Sequence, residues 1–141
     1  MNHFLSLRNY EQFIYTLQLI YPSIKTSTLA ATPRGADVVI VRGELIFHSD
    51  VRLLIWERIT LEHKSLQIET YGYEVWYDKN QLYWYDSQEH PNDPTLASTH
   101  PHHKHVSPDI KHNRSPAPGL SFSQPNLPFL IQEIEQTFFV G

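Results

Sequence analysis

The segment His100-Pro101-His102-His103-Lys104-His105 puts four imidazoles and one ammonium into six consecutive positions. Histidine, with an ordinary pKa of about 6.5, is the side chain that both gives and takes a proton near neutral pH. It is also the commonest metal ligand, so the run points to acid–base chemistry or to metal binding. His90 and His112 bracket it, and six of the nine histidines fall between positions 90 and 112, a concentration that marks a site. His63 lies apart.

On an extended backbone His103 and His105 share one side, and His102 and Lys104 the other. A metal-free site needs three functions. One imidazole removes the proton of a ribose 2′-hydroxyl, another protonates the leaving oxygen, and Lys104 stabilises the charged phosphorane. His102, His103 and His105 then share the roles of acid, base and positioning contact, in an order that spacing does not assign. With a metal, His103 and His105 join Asp86 or His90 as ligands for zinc or manganese. The spacing is not that of a helical HExxH site, so the ligand set stays open. A third reading has no chemistry, with the segment contacting a partner protein or collecting metal.

Two carboxylates are placed to support such a site. Alternation along Val51–Ile59 sets Glu57 on one face with Val51, Leu53, Ile55 and Ile59. A carboxylate on an apolar face answers with a raised pKa or a cationic partner. Glu57 is therefore a catalytic or imidazole-orienting group, or a residue that reaches water or pairs with Arg42 or Arg58. Asp86 stands where the chain enters the histidine segment and can accept the second N–H of an imidazole. Tyr71 and Tyr73 share one face of a strand, and Tyr85 follows on the next. They form either a platform for stacking bases or cross-strand pairs that hold the sheet.

Net charge is −4, which argues against a protein that tracks the phosphates of a duplex. A local patch is different. Between Ala97 and Ser115 the fixed charges are Lys104, Lys111 and Arg114 against Asp109, so phosphate is attracted there. His90, Lys111 and Arg114 are candidate substrate contacts together with the tyrosines.

The elements that position these groups follow from periodicity. Tyr10, Phe13, Ile14, Leu17, Ile20 and Tyr21 recur at helical spacing, predicting one helix over residues 8–21 that ends at Pro22. From about Thr26 to Asp86 the pattern is β. Strands are expected over Val38–Phe47 (with Gly43 a bulge), Val51–Ile59, Leu66–Tyr77 and Gln81–Asp86. His48-Ser49-Asp50, Glu62-His63-Lys64-Ser65 and Asp78-Lys79-Asn80 read as turns, and such short connections join antiparallel neighbours. Eight of the ten prolines lie between Pro91 and Pro128, so residues 87–125 read as a long loop across a sheet edge. Asn126 caps a last helix over 126–139, with Leu127, Leu130, Ile131, Ile134 and Phe138 on one stripe. The expectation is one α+β domain over residues 1–141: an antiparallel meander of four or five strands between N- and C-terminal helices.

The chain has no cysteine, which excludes a disulfide scaffold, a thiolate metal site and a cysteine nucleophile. It shows no signal-peptide pattern and no apolar run approaching the roughly 18 residues that span a bilayer, so a cytoplasmic protein without membrane contact is expected.

Glu57, Tyr71-Gly72-Tyr73, Tyr83-Trp84-Tyr85-Asp86, His90-Pro91, Leu96 and Pro101-His102-His103-Lys104-His105 together resemble the TumE-like toxin family of bacterial type II toxin–antitoxin modules. The match runs over roughly residues 51–106. It implies a ribonuclease-type toxin with an RNA substrate, neutralised by a DNA-binding antitoxin encoded beside it. Homo-oligomerisation is a further possibility that the sequence leaves open. The family's usual Asp-Asn-Ala-Pro after the last strand is Asp86-Ser87-Gln88-Glu89 here, and its paired histidines are reduced to His90.

Overall fold

The computed structural model describes residues 2–62, 64–87, 102–106 and 119–138, with the backbone of 114–116. Ser6 starts the first helix, its hydroxyl accepting the Asn9 N–H at 3.1 Å, and α1 runs Leu7–Tyr15. The helix expected to continue to Tyr21 breaks at Thr16, and a single turn, α2 (Leu17–Ile20), follows. Thr16 has φ −115° and ψ 11°, and its hydroxyl donates to the Gln12 carbonyl at 2.6 Å. Such back-bonding by threonine competes with the helical ladder and bends it. The last helix, α3, spans Leu127–Phe138. Asn126 supplies its backbone carbonyl to Leu130, but its side chain does not cap the helix. Instead Asn126 accepts from the Ser121 N–H at 2.8 Å and donates to the Ser121 carbonyl at 3.0 Å and to the Tyr73 hydroxyl at 3.1 Å.

Eight strands form one antiparallel sheet: β1 (Ile24–Ser27), β2 (Ala30–Pro33), β3 (Val38–Phe47), β4 (Val51–Thr60), β5 (Gln67–Tyr77), β6 (Asn80–Asp86), β7 (His103–Val106) and β8 (Arg114–Pro116). The order is β1-β3-β4-β5-β6-β7-β8, with β2 also paired to β3. The α+β class and antiparallel meander match expectation; the strand count is larger. Two of the added strands lie in the segment expected to be loop. His103–Val106 contains no proline, so all four residues can join a ladder, and they pair with Tyr83–Asp86.

Gly43 is not a bulge, since the β3–β4 register runs unbroken through it. It sits at φ +147°, where a Cβ would lie 2.6 Å from the Thr28 carbonyl oxygen and 2.8 Å from the Leu29 backbone. The chain crosses there from β1 to β2, and only glycine permits so close an approach.

Alternation divides the sheet into two faces. The inner face carries Leu45, Leu53, Ile55, Ile59, Tyr73, Val75 and Tyr85, which share one core with Tyr10, Phe13, Ile14, Leu127, Leu130 and Ile134 of the helices. The outer face, away from the helices, carries Arg42, Trp56, Gly72, Trp84 and Asp86. None of the described helices is long and apolar enough to cross a membrane.

Candidate functional site

On the outer face Asp86, His103 and His105 form a cluster of titratable side chains. Cross-strand register sets Asp86 at the end of β6 opposite His103 of β7, and Trp84 opposite His105. His103 Nδ1 lies 3.3 Å from Asp86 Oδ1, and His105 Nε2 lies 3.1 Å from Asp86 Oδ2. One carboxylate thus spends an oxygen on each imidazole. Both histidines are buried, at 0% and 2% exposure, and the Trp84 ring packs on His105 with centroids 4.6 Å apart. Burial pushes the Asp86 carboxyl up. The hydrogen bond and charge of His105, and then of His103, outweigh that and hold it below the usual aspartate range. Asp86 is therefore an anion at neutral pH, fixing both rings. The imidazole centroids are 6.4 Å apart. The three potential ligand atoms of Asp86, His103 and His105 also lie within 4.8 Å of one another, close enough to converge on one cation.

The other expected site residues that the structure describes stand on the inner face. Alternation along β7 sends Lys104 toward α3, where Nζ lies 3.2 Å from Glu133 Oε2 and 4.4 Å from the centre of the Tyr83 ring. Glu133 also accepts from the Tyr85 hydroxyl, at 2.7 Å for its nearer oxygen. His102 hydrogen-bonds to the Tyr71 hydroxyl through Nδ1. Thus His102 and Lys104 do not converge with His103 and His105; the sheet lies between the two pairs.

Glu57 is fully buried on the inner face, and it meets phenols rather than imidazoles or arginines. The Tyr10 hydroxyl donates to Oε1 at 2.5 Å, and the Tyr73 hydroxyl donates to Oε2. Burial raises the Glu57 pKa, and the two phenolic hydrogen bonds pull it down without cancelling that rise. Burial and the Glu57 charge push both tyrosines well above their ordinary value. Arg58 pairs with Glu69 at 2.7 Å, and Arg42 projects from the opposite face. Glu57 is thus an anchor between α1 and the sheet. Among the described residues it orients no histidine.

Tyr71, Tyr73 and Tyr85 share one face as alternation requires, but that face is the covered one. Their exposures are 3%, 0% and 2%, so the rings are core and offer no open stacking surface. His63, His90, His100, Lys111 and His112 lie outside the described residues, as does the side chain of Arg114. Glu133 leaves no mark in the sequence, because an acidic residue on an amphipathic helix carries no signal of its partner. The role of Tyr10 was hidden in a stripe that reads simply as core.

A family model described as "Toxin TumE" matches residues 13–138, nearly the whole chain. The chain belongs to this toxin family. No curated protein and no solved structure matches it.

Proposed function

We propose that this toxin is an endoribonuclease of a bacterial toxin–antitoxin module, and that His103 and His105 are its acid and base. The observation that carries this reading is the single Asp86 carboxylate holding both imidazoles through opposite oxygens. Orientation by a carboxylate fixes a histidine's tautomer and stabilises its charged form. In this reading the ring atoms turned away from Asp86, Nε2 of His103 and Nδ1 of His105, exchange protons with a substrate that must first reach two rings buried at 0% and 2% exposure. One takes the proton of a ribose 2′-hydroxyl as its oxygen attacks phosphorus. The other gives a proton to the departing 5′-oxygen. The products are a 2′,3′-cyclic phosphate and a 5′-hydroxyl, and no water is consumed. His102 and Lys104, on the inner face, support the local structure in this reading, and Glu57 stabilises the fold. Nothing in the reaction involves a membrane, and a cytoplasmic site of action follows from the substrate. The partner implied is a cognate antitoxin.

A second reading is favoured by one observation, the convergence of Asp86, His103 and His105 within 4.8 Å. Two imidazoles and a carboxylate suit zinc, with a position left for water, and the toxin would then be a metal-dependent phosphodiesterase. Expression from a tightly repressed promoter separates the active readings from a mere binding module. Growth arrest with loss of intact cellular RNA, abolished by Asp86→Asn, is the expected result. Growth unaffected by the wild-type protein contradicts both enzymatic readings. A stoichiometric metal in the purified protein, lost in His105→Ala, favours the second over the first.

A further inference from the structure

All three tryptophans, Trp56, Trp76 and Trp84, project from the outer face of the sheet. Indoles are usually well covered, yet Trp56 is 38% exposed. It borders a cavity of about 370 Å³ that is also lined by Arg42, Leu54, Gly72 and Glu74. The floor of this groove is open because Gly72 has no side chain; a Cβ there would meet nothing within 4 Å.

Register connects the groove to the Asp–His–His cluster. Arg42 pairs with Trp56, Trp56 with Gly72, Gly72 with Asp86, and Asp86 with His103, forming one straight row across five strands. Trp56 and Asp86 are two strands apart, about 10 Å at the usual strand spacing. The charges of the groove are also uneven. Of its two carboxylates, Glu44 pairs with Arg52 at 3.4 Å, while Glu74 accepts from the neutral amide of Gln81 at 2.8 Å and keeps its charge. Arg42 is exposed and has no ion-pair partner among the described residues, so it is the cation the groove offers.

We propose that this groove is the base-binding subsite for single-stranded RNA. A nucleobase stacks on Trp56 over the gap at Gly72, and Arg42 holds a phosphate at the far end. The sugar–phosphate chain then runs along the row toward Asp86, the half-buried member of the cluster. A flat aromatic beside one cation suits an unpaired nucleotide, because every base presents a π face and a single strand can splay it outward. A net charge of −4 does not suit a duplex, whose binding depends on many phosphate contacts. The proposal rests on the RNA-cleaving reading and adds where the substrate lies.

The test uses the full chain and a labelled RNA hexamer with 2′-O-methyl groups throughout, which cannot undergo attack by a 2′-hydroxyl. Binding is read by fluorescence anisotropy, alongside cleavage of unmodified RNA. Trp56→Ala is expected to weaken hexamer binding roughly 5- to 150-fold, the affinity equivalent of one base–aromatic stack. Trp56→Phe is expected to recover most of that loss, a result that a purely structural role would not give. Arg42→Gln is expected to make binding less sensitive to salt. A wild type that cleaves RNA while Trp56→Ala and Gly72→Val bind the hexamer as tightly as it does overturns the subsite alone. A wild type that binds through Trp56 without cleaving supports the groove and removes the reaction. Neither binding nor cleavage overturns both.

Discussion

Replacing His103 by alanine is expected to lower the rate of RNA cleavage by on the order of 10²–10⁴, the usual contribution of one acid–base group. His105→Ala should cost a similar amount, because in the proposed reaction each ring carries one of the two proton transfers. Their combination is the informative variant. Groups that act as a unit are strongly non-additive, so the double variant should be little slower than either single one. Asp86→Asn should also be slow, since an amide cannot accept from both imidazoles as the carboxylate does at 3.3 and 3.1 Å. His102→Ala provides the contrast. His102 bonds to Tyr71 on the other side of the sheet, and its loss should affect stability more than rate. The check is single-turnover cleavage with each variant's folding verified by circular dichroism. A His103→Ala protein of full activity, in a preparation free of contaminating nuclease, would reject the assignment.

The largest effect on stability is expected at Glu57. Glu57→Leu strips the acceptor from two buried phenols, Tyr10 and Tyr73, in a core where neither can turn to water. Leaving a buried donor unsatisfied costs about 1–3 kcal/mol each, so a loss of about 2–6 kcal/mol is expected in urea unfolding. Asn126 still donates to the Tyr73 oxygen, but that contact does not replace the lost acceptor. Glu57→Gln separates charge from shape. Glu57 has a folded-state pKa raised by burial, so the native state binds its proton more tightly than the unfolded chain does. Its contribution is therefore greatest below the unfolded pKa and is lost as pH rises through the folded value. The glutamine variant should lack that decline. Asp86 has the opposite sign: its folded pKa is lowered, so its contribution is present above the unfolded value and is lost as pH falls through the folded one. Subtracting the stability curve of Glu57→Gln from that of the wild type isolates Glu57. A difference curve that is flat from the ordinary glutamate range upward would contradict the buried-carboxylate account.

Much of this architecture is legible in the chain because period-two patterning is unambiguous where one face is apolar. Val38–Phe47 and the start of the next strand at Val51 follow the alternation directly. The same rule places His103 and His105 together and His102 and Lys104 opposite them. Alternation does not say which face the helices cover. Tyr71, Tyr73 and Tyr85 read in sequence as either a stacking platform or sheet-holding pairs and are core in three dimensions, while Trp56, isolated on its strand, faces the groove. The short strands β1, β2, β7 and β8 carry too few residues for a period to show, and prolines on either side disguise His103–Val106. Glu57 is recognisable as a misplaced charge, but its partners come from a helix and a strand 47 and 16 residues away. Long-range pairing of that kind leaves no local trace. Family membership favours a toxin reading from the sequence; the split between an outer imidazole pair and an inner lysine required the fold.

The most direct test is incubation of the purified wild-type protein with a mixed-sequence RNA in excess chelator, followed by analysis of the new ends. The Asp86–His103–His105 account predicts metal-free cleavage that leaves 2′,3′-cyclic phosphates and vanishes with His103→Ala. Cleavage that is absent in chelator and returns only with zinc or manganese would contradict it and make the three residues metal ligands.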